Sequence, residues 1–208
     1  LKVLMRDFSA NKSKIQALLS EDNLLAKDVM FAQFVNQADK SNPLYESDRR
    51  QLNTTENIRC CTDILNILDP ADPRLDYFYE GGAAGTAYGT KGKQKETSRL
   101  AIEATDPVYF GTAAEALFLK AEAYARLGDA ANAKTSYDAA VEESFSRCGE
   151  SGAASAYLGE GGAYSFKSGS TEDMVHQIIN QKWASNVRCM PIESWFDINR
   201  TGYPERGT

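Results

Sequence analysis

Few residues in this chain have the type and spacing to do chemistry. The single histidine, His176, stands one helical turn after Glu172, which could open a metal site or an acid–base pair. Zinc needs further ligands and no second histidine exists, so His176 is expected to be an exposed helix residue beside an i, i+4 carboxylate. A Ser-His-Asp triad would have to draw on the same His176, and no nucleophile-elbow sequence surrounds any serine. The 29 acidic residues offer many carboxylate pairs for glycoside hydrolysis, and spacing singles out none of them. Gly92-Lys93 is followed by Gln94 and has Ala87 where a phosphate-binding loop begins with glycine. Cys60, Cys61, Cys148 and Cys189 do not have metal-ligand spacing; they read as buried thiols, or as one disulfide joining Cys148 to Cys189. The expectation is therefore a chain with no catalytic residue, no metal and no cofactor.

Binding chemistry is better represented. Tyr77, Tyr79 and Tyr88 lie in or beside the glycine-rich run Gly81 to Gly92, where an aromatic ring has little core to join and can meet a ligand. These three are the candidate ligand-binding residues. Asp72 and Arg74 are expected to fix the root of that loop through a local ion pair. Trp183 and Trp195 could stack on a sugar ring, but Trp183 shares a helix face with Ile178 and Ile179, which favours packing.

The elements that position these side chains read as helices. Leu117, Ala121 and Tyr124 recur at helical spacing, as do Ala133, Tyr137, Ala140 and Val141 after the Gly128-Asp129 break. Gly128 suits the left-handed end of one helix and Asp129 the cap of the next. The pair, at about 112–145, resembles a tetratricopeptide (TPR) unit, with Lys120 and Phe145 departing from the usual Leu and Pro. Asp106-Pro107 is expected to open it.

Earlier, Leu4, Ile15, Leu18 and Leu19 precede a polar break at Glu21-Asp22-Asn23. Residues 24 to 35 carry an apolar set wide enough for a buried helix, and Ser41-Asn42-Pro43 signals a turn. Asn57 to Leu68 reads as an amphipathic helix halted before Asp69-Pro70. Thr171 to Ser185 reads as a helix capped at Thr171, and a short helix spans Ile192 to Ile198. No segment alternates apolar and polar residues for long. The fold class is all-α, with TPR-like helix pairs in a superhelical scaffold and long irregular loops.

Composition narrows the functional classes. The 208 residues carry a net charge of -6, with 42% hydrophobic and 25% charged residues. That balance is ordinary for a globular protein, and it provides no basic stripe for nucleic acid. The densest basic run, Lys91 to Lys95, reads as a solvated loop. No apolar run approaches the ~20 residues needed to cross a bilayer.

Three segments in order carry a resemblance: Asp72-Pro-Arg-Leu75; Asp106-Pro-Val-Tyr-Phe110 followed by the helix from Ala114; and Ile178 to Trp183 followed by Glu193-Ser-Trp-Phe-Asp-Ile-Asn-Arg-Thr-Gly-Tyr-Pro204. Together they resemble the SusD/RagB-like lipoproteins over nearly the whole chain, as the central to C-terminal portion of a longer member. The resemblance implies one SusD-like domain over 1–208 and a cell-surface nutrient-capture protein of an outer membrane, without catalysis. It further implies a SusC-like TonB-dependent transporter as partner and an oligosaccharide or peptide as ligand. A lipid anchor would lie outside this segment, on the extracellular face. Within the closing phrase, Trp195 and Tyr203 are expected to be structural. The alternative is a TPR-type scaffold that grips peptides or proteins in a helical groove.

Overall fold

The computed structural model describes residues 1–51, 56–90 and 96–205. The Lys91 to Lys95 run and the Gly92-Lys93 pair lie outside the described residues. In chain order the elements are α1 (Lys2–Met5), α2 (Phe8–Glu21), β1 (Val29–Phe31), α3 (Pro43–Tyr45) and a π-helical turn (Glu46–Gln51). Next come α4 (Thr62–Ile67), α5 (Arg74–Phe78), β2 (Tyr79–Glu80), β3 (Arg99–Leu100) and β4 (Val108–Gly111). The chain then becomes helical: α6 (Ala113–Leu127), α7 (Ala130–Arg147), α8 (Ala154–Leu158), α9 (Thr171–Asn186) and α10 (Pro191–Thr201). The fold is all-α in class, with short two-residue to four-residue strands. It divides into two compact units. Among the described residues, the first comprises Leu1–Asp28, Gly111–Asn186 and Met190–Glu205; the second comprises those of Val29–Phe110 and Val187–Cys189.

The first unit is built on the α6–α7 hairpin. Gly128 sits at φ 82°, a conformation that costs glycine little, and Asp129 accepts from the Asn132 N–H to start α7. Ala114, Phe118, Ala121 and Ala125 are fully buried on α6, and Ala133, Tyr137, Ala140 and Val141 on α7. Small residues let the two backbones approach, and the Phe118 and Tyr137 rings meet edge-on at 6.3 Å between them. Phe145, in place of a helix-ending Pro, is also buried, and it lets α7 run on to Arg147. Across α6, Leu119 and Ala123 pack against Met5, Ile15 and Leu19 of the first two helices. Arg147 joins three segments, donating to Asp28 Oδ2 and to the Ser185 carbonyl at 3.0 Å each.

Several local readings are corrected. The helix opens at Thr112, whose hydroxyl accepts from Glu115 N, and not at Asp106-Pro107, which instead precedes β4. The cap of α9 is Ser170, paired reciprocally with Asp173, and not Thr171. Of the two readings open for Cys148 and Cys189, thiols or one disulfide, the structure has thiols.

Residues 24–35 do not form the expected buried helix. Val29, Met30 and Phe31 form an exposed strand paired with β4, because an apolar cluster without capping residues fits either state. The helix expected from Asn57 is shorter, Thr62–Ile67, since residues before it are taken into backbone pairing. Cys60 N donates to the Ser98 carbonyl, and Leu100 N to the Ile58 carbonyl. At Ser41-Asn42-Pro43, read as a turn, Asn42 caps α3, its Oδ1 accepting from Leu44 and Tyr45.

Candidate functional site

The candidate site is the loop between β2 and β3 and the elements that root it. At its entry, Asp72 and Arg74 have fully buried side chains joined at 2.7 Å. Asp72 Oδ1 also accepts from the Arg74 backbone N–H and from Nε, so the pair is a two-pronged clamp that turns the chain into α5. The local ion pair expected from sequence is thus present. Beyond α5, Tyr79 and Glu80 pair antiparallel with Leu100 and Arg99. Arg99 reaches Glu80 and Glu56, closing the base of the loop with charge.

The loop then leans on the segment ahead of α4. Thr86 N donates to the Cys60 carbonyl, and Thr62 N to the Thr86 carbonyl. Gly85 is where the two backbones meet: a Cβ there would stand 2.9 Å from Cys61 C and from Thr62 N. Only glycine allows that approach. Ala84 N is held by Ser98 Oγ, and Ser98 N by the Ala84 carbonyl.

The three tyrosines occupy different environments. Tyr88 is 82% exposed near the middle of the loop. Tyr79 is 6% exposed, with its hydroxyl hydrogen-bonded to the buried Cys60 thiol. Burial pushes the Cys60 thiol up to about 12, opposed by the hydrogen bond from Tyr79, and burial raises Tyr79 as well. Both groups stay neutral near pH 7. Tyr77 is half-buried, and the Arg188 guanidinium lies 4.0 Å from its ring centroid. The same guanidinium donates to the Tyr77 carbonyl at 2.5 Å and to Asp106 Oδ2 at 2.6 Å. Sequence reasoning did not single out Arg188. It is 111 positions from Tyr77, and no local pattern announces the pairing.

The remaining candidates are placed as follows. Trp183 is half-buried on α9, whose Ile178 and Ile179 are buried. Trp195, expected to be structural, is instead 53% exposed. His176 is half-buried, with Nε2 3.0 Å from Asn180 Nδ2 and its ring 4.5 Å from that of Tyr203. Among the described residues no group of three or more His, Cys, Asp or Glu side chains is arranged to hold a metal ion. Nor, among them, is any helix long and apolar enough to cross a membrane.

Comparison with solved structures gives the fold a context. A SusD homolog from Bacteroides uniformis superposes with a TM-score of 0.76 at 24% identity, covering 99% of this chain and 50% of that one. A chitin-binding SusD homolog from Flavobacterium johnsoniae gives 0.75 at 22% identity, with 99% and 50% coverage. A SusD homolog from Bacteroides vulgatus gives 0.73 at 25% identity, with 99% and 49% coverage. The chain therefore spans about half the length of the solved relatives it matches. No curated protein sequence matches it at a significant level. The family profile described as starch-binding and associating with the outer membrane matches residues 1–207, and on that extent the chain belongs to the SusD-like family.

Proposed function

We propose that this chain is part of a cell-surface protein that captures an oligosaccharide and passes it to a SusC-like TonB-dependent transporter. A lipid anchor outside residues 1–208 would hold it on the extracellular face of the outer membrane. The observation that carries this reading is the match of residues 1–207 to a family described as starch-binding and associating with the outer membrane. The chitin-binding relative supports a polysaccharide as the ligand class. In this reading the chain binds and releases its ligand without chemical change.

The physical mechanism rests on Tyr88. Its exposed ring can cover the apolar face of a pyranose, while neighbouring backbone groups meet the sugar hydroxyls. Tyr79 and Tyr77 serve the root of the loop: the first anchors its β2 end, and the second packs against Arg188. A pre-formed root lowers the ordering entropy that binding must overcome.

Calorimetric titration with malto- and chito-oligosaccharides tests the reading. Tyr88→Ala should weaken binding about tenfold, equivalent to about 1.4 kcal/mol, and the sugar should be recovered intact. Titration with peptides but no sugar would replace this reading with the helical-groove scaffold. Affinity purification from outer membranes should recover a TonB-dependent barrel in roughly equal amount; its absence would sink the transport half of the proposal.

A further inference from the structure

Helices α2 and α6 of the first unit pack through Ile15 and Leu19 against Leu119 and Ala123. Toward the C-terminal ends of both helices the contact opens into a cavity of about 320 Å³. Gln16, Leu19, Ser20, Tyr124, Leu127 and Asp129 line it, and all six belong to the first unit. Helical spacing explains the set. Gln16 and Ser20 stand at i and i+4 on α2, and Tyr124 and Leu127 at i and i+3 on α6. Asp129 follows the turn at Gly128 and is held as the cap of α7, with Oδ1 accepting from the Asn132 N–H and Oδ2 from Asn132 Nδ2. Those bonds keep the Asp129 carboxyl below the usual carboxylate range, so it is an anion at neutral pH with lone pairs still to offer. Ser20 Oγ donates to the Gln16 carbonyl at 3.0 Å and keeps its own acceptor capacity.

Small-molecule sites are concave, with apolar walls and a few convergent polar groups, and start at roughly 300 Å³. This cavity has that make-up. Leu19, Leu127 and the Tyr124 ring supply the walls; an amide, a hydroxyl, a phenol and a carboxylate supply the polar groups. Tyr124 and Leu127 also pack against the buried cluster of Met5, Ile15 and Leu19, so the walls are in place before any ligand arrives. The charge pattern selects among ligands. None of the six lining residues is basic, and the basic residues of α6, Lys120 and Arg126, are paired with Asp22 and Glu122. A phosphate or uronate would meet the Asp129 anion without a counter-charge. A divalent cation, which takes about six or more oxygens, would find one carboxylate. A neutral ring with an apolar face and hydroxyls on its edge meets every group.

We propose that the groove between α2 and α6 binds one neutral pyranose unit, through residues other than those of the Tyr88 loop. Tyr124 and the two leucines take the apolar face of the ring, and Gln16, Ser20 and Asp129 take its hydroxyls. The choice of a sugar rests on the oligosaccharide reading of this chain, but no residue is shared with the loop.

Leu19 and Leu127 make this measurable, since their methyl groups line the cavity. Methyl NMR of the full natural polypeptide, labelled at leucine, should show both shifting and saturating on titration with maltotriose or chitotriose. Gln16→Ala, an exposed change to a strong helix former, should raise the Kd read at those methyls severalfold. Should that variant disturb α2, Asp129→Asn keeps the α7 cap and makes the same test. In Tyr88→Ala the shifts at Leu19 and Leu127 should persist; their loss would mean they only report the loop, and overturns the proposal. Sugar binding seen by calorimetry with both methyls still overturns the groove and leaves the Tyr88 reading standing. Shifts caused by glucuronate or inorganic phosphate, and not by either neutral sugar, overturn the ligand class. Failure of both sugars in both measurements overturns the groove and the oligosaccharide reading together.

Discussion

Single side chains divide here into those that hold the loop and those that can meet a ligand, and exposure separates them. Tyr88 at 82% exposed has little packing to lose, so Tyr88→Ala should leave thermal stability within about 0.5 kcal/mol while binding falls. That split between affinity and melting temperature is what a contact residue should show. Arg74 is the opposite case. Arg74→Ala leaves the buried Asp72 carboxylate without its guanidinium and should cost about 3–5 kcal/mol in denaturant unfolding. Cys60 gives a pH signature. Its folded pKa is raised from 9.0 to about 12, so the unfolded chain loses that proton first. The stabilisation is complete below pH 9.0 and drains away as pH rises toward 12; Cys60→Ala should flatten melting temperature across that window.

At the scale of elements, close approach and capping decide which local patterns become structure. Gly85 touches the backbone of Cys61 and Thr62, and a methyl group there must push two segments apart. Gly85→Ala should destabilise by about 1–3 kcal/mol and should loosen Tyr88 along with the loop, read as faster amide exchange at Ala84 and Thr86. The α6–α7 hairpin was legible in the sequence because its signals are local: helical spacing, Gly128 at the turn and Asp129 at the cap. Residues 24–35 were not, since an apolar cluster without a cap suits a strand as well as a helix. Asp106-Pro107 made a plausible helix start, but Asp106 is occupied by Arg188 and by the Glu103 N–H, and Thr112 caps the helix instead.

Across the first unit, buried charge does work that apolar packing does elsewhere. Glu122, with 1% of its side chain exposed, accepts from Arg126 and Arg200. Burial opposes the Arg200 charge, but hydrogen bonds and attraction from Glu122 and Asp197 outweigh it and raise the pKa. The network ties α6, α9 and α10 together, with Lys182 bridging toward Asp197. Glu122→Ala should therefore destabilise the unit by about 3–5 kcal/mol, measured by urea unfolding followed by circular dichroism. Glu122→Gln should be milder, because it keeps hydrogen-bond capacity while removing the charge.

The sequence by itself determined the helices with local stop and start signals, the Asp72–Arg74 clamp and the SusD-like phrase ending at Pro204. It also marked Tyr77, Tyr79 and Tyr88 as neighbours of a glycine-rich loop. The helices and the clamp depend on residues within a few turns of one another, so spacing carries them, whereas the phrase is legible only as a resemblance to the family. Tertiary structure decided the rest. It buried Tyr79 against Cys60, laid Arg188 over Tyr77 and left Tyr88 open. It also turned the polar side of α10 inward, because Lys182 on α9 and Glu122 on α6 offer Asp197 and Arg200 a better partner than water. Those outcomes rest on side chains up to 111 positions apart, whose meeting no helical period or cap can signal.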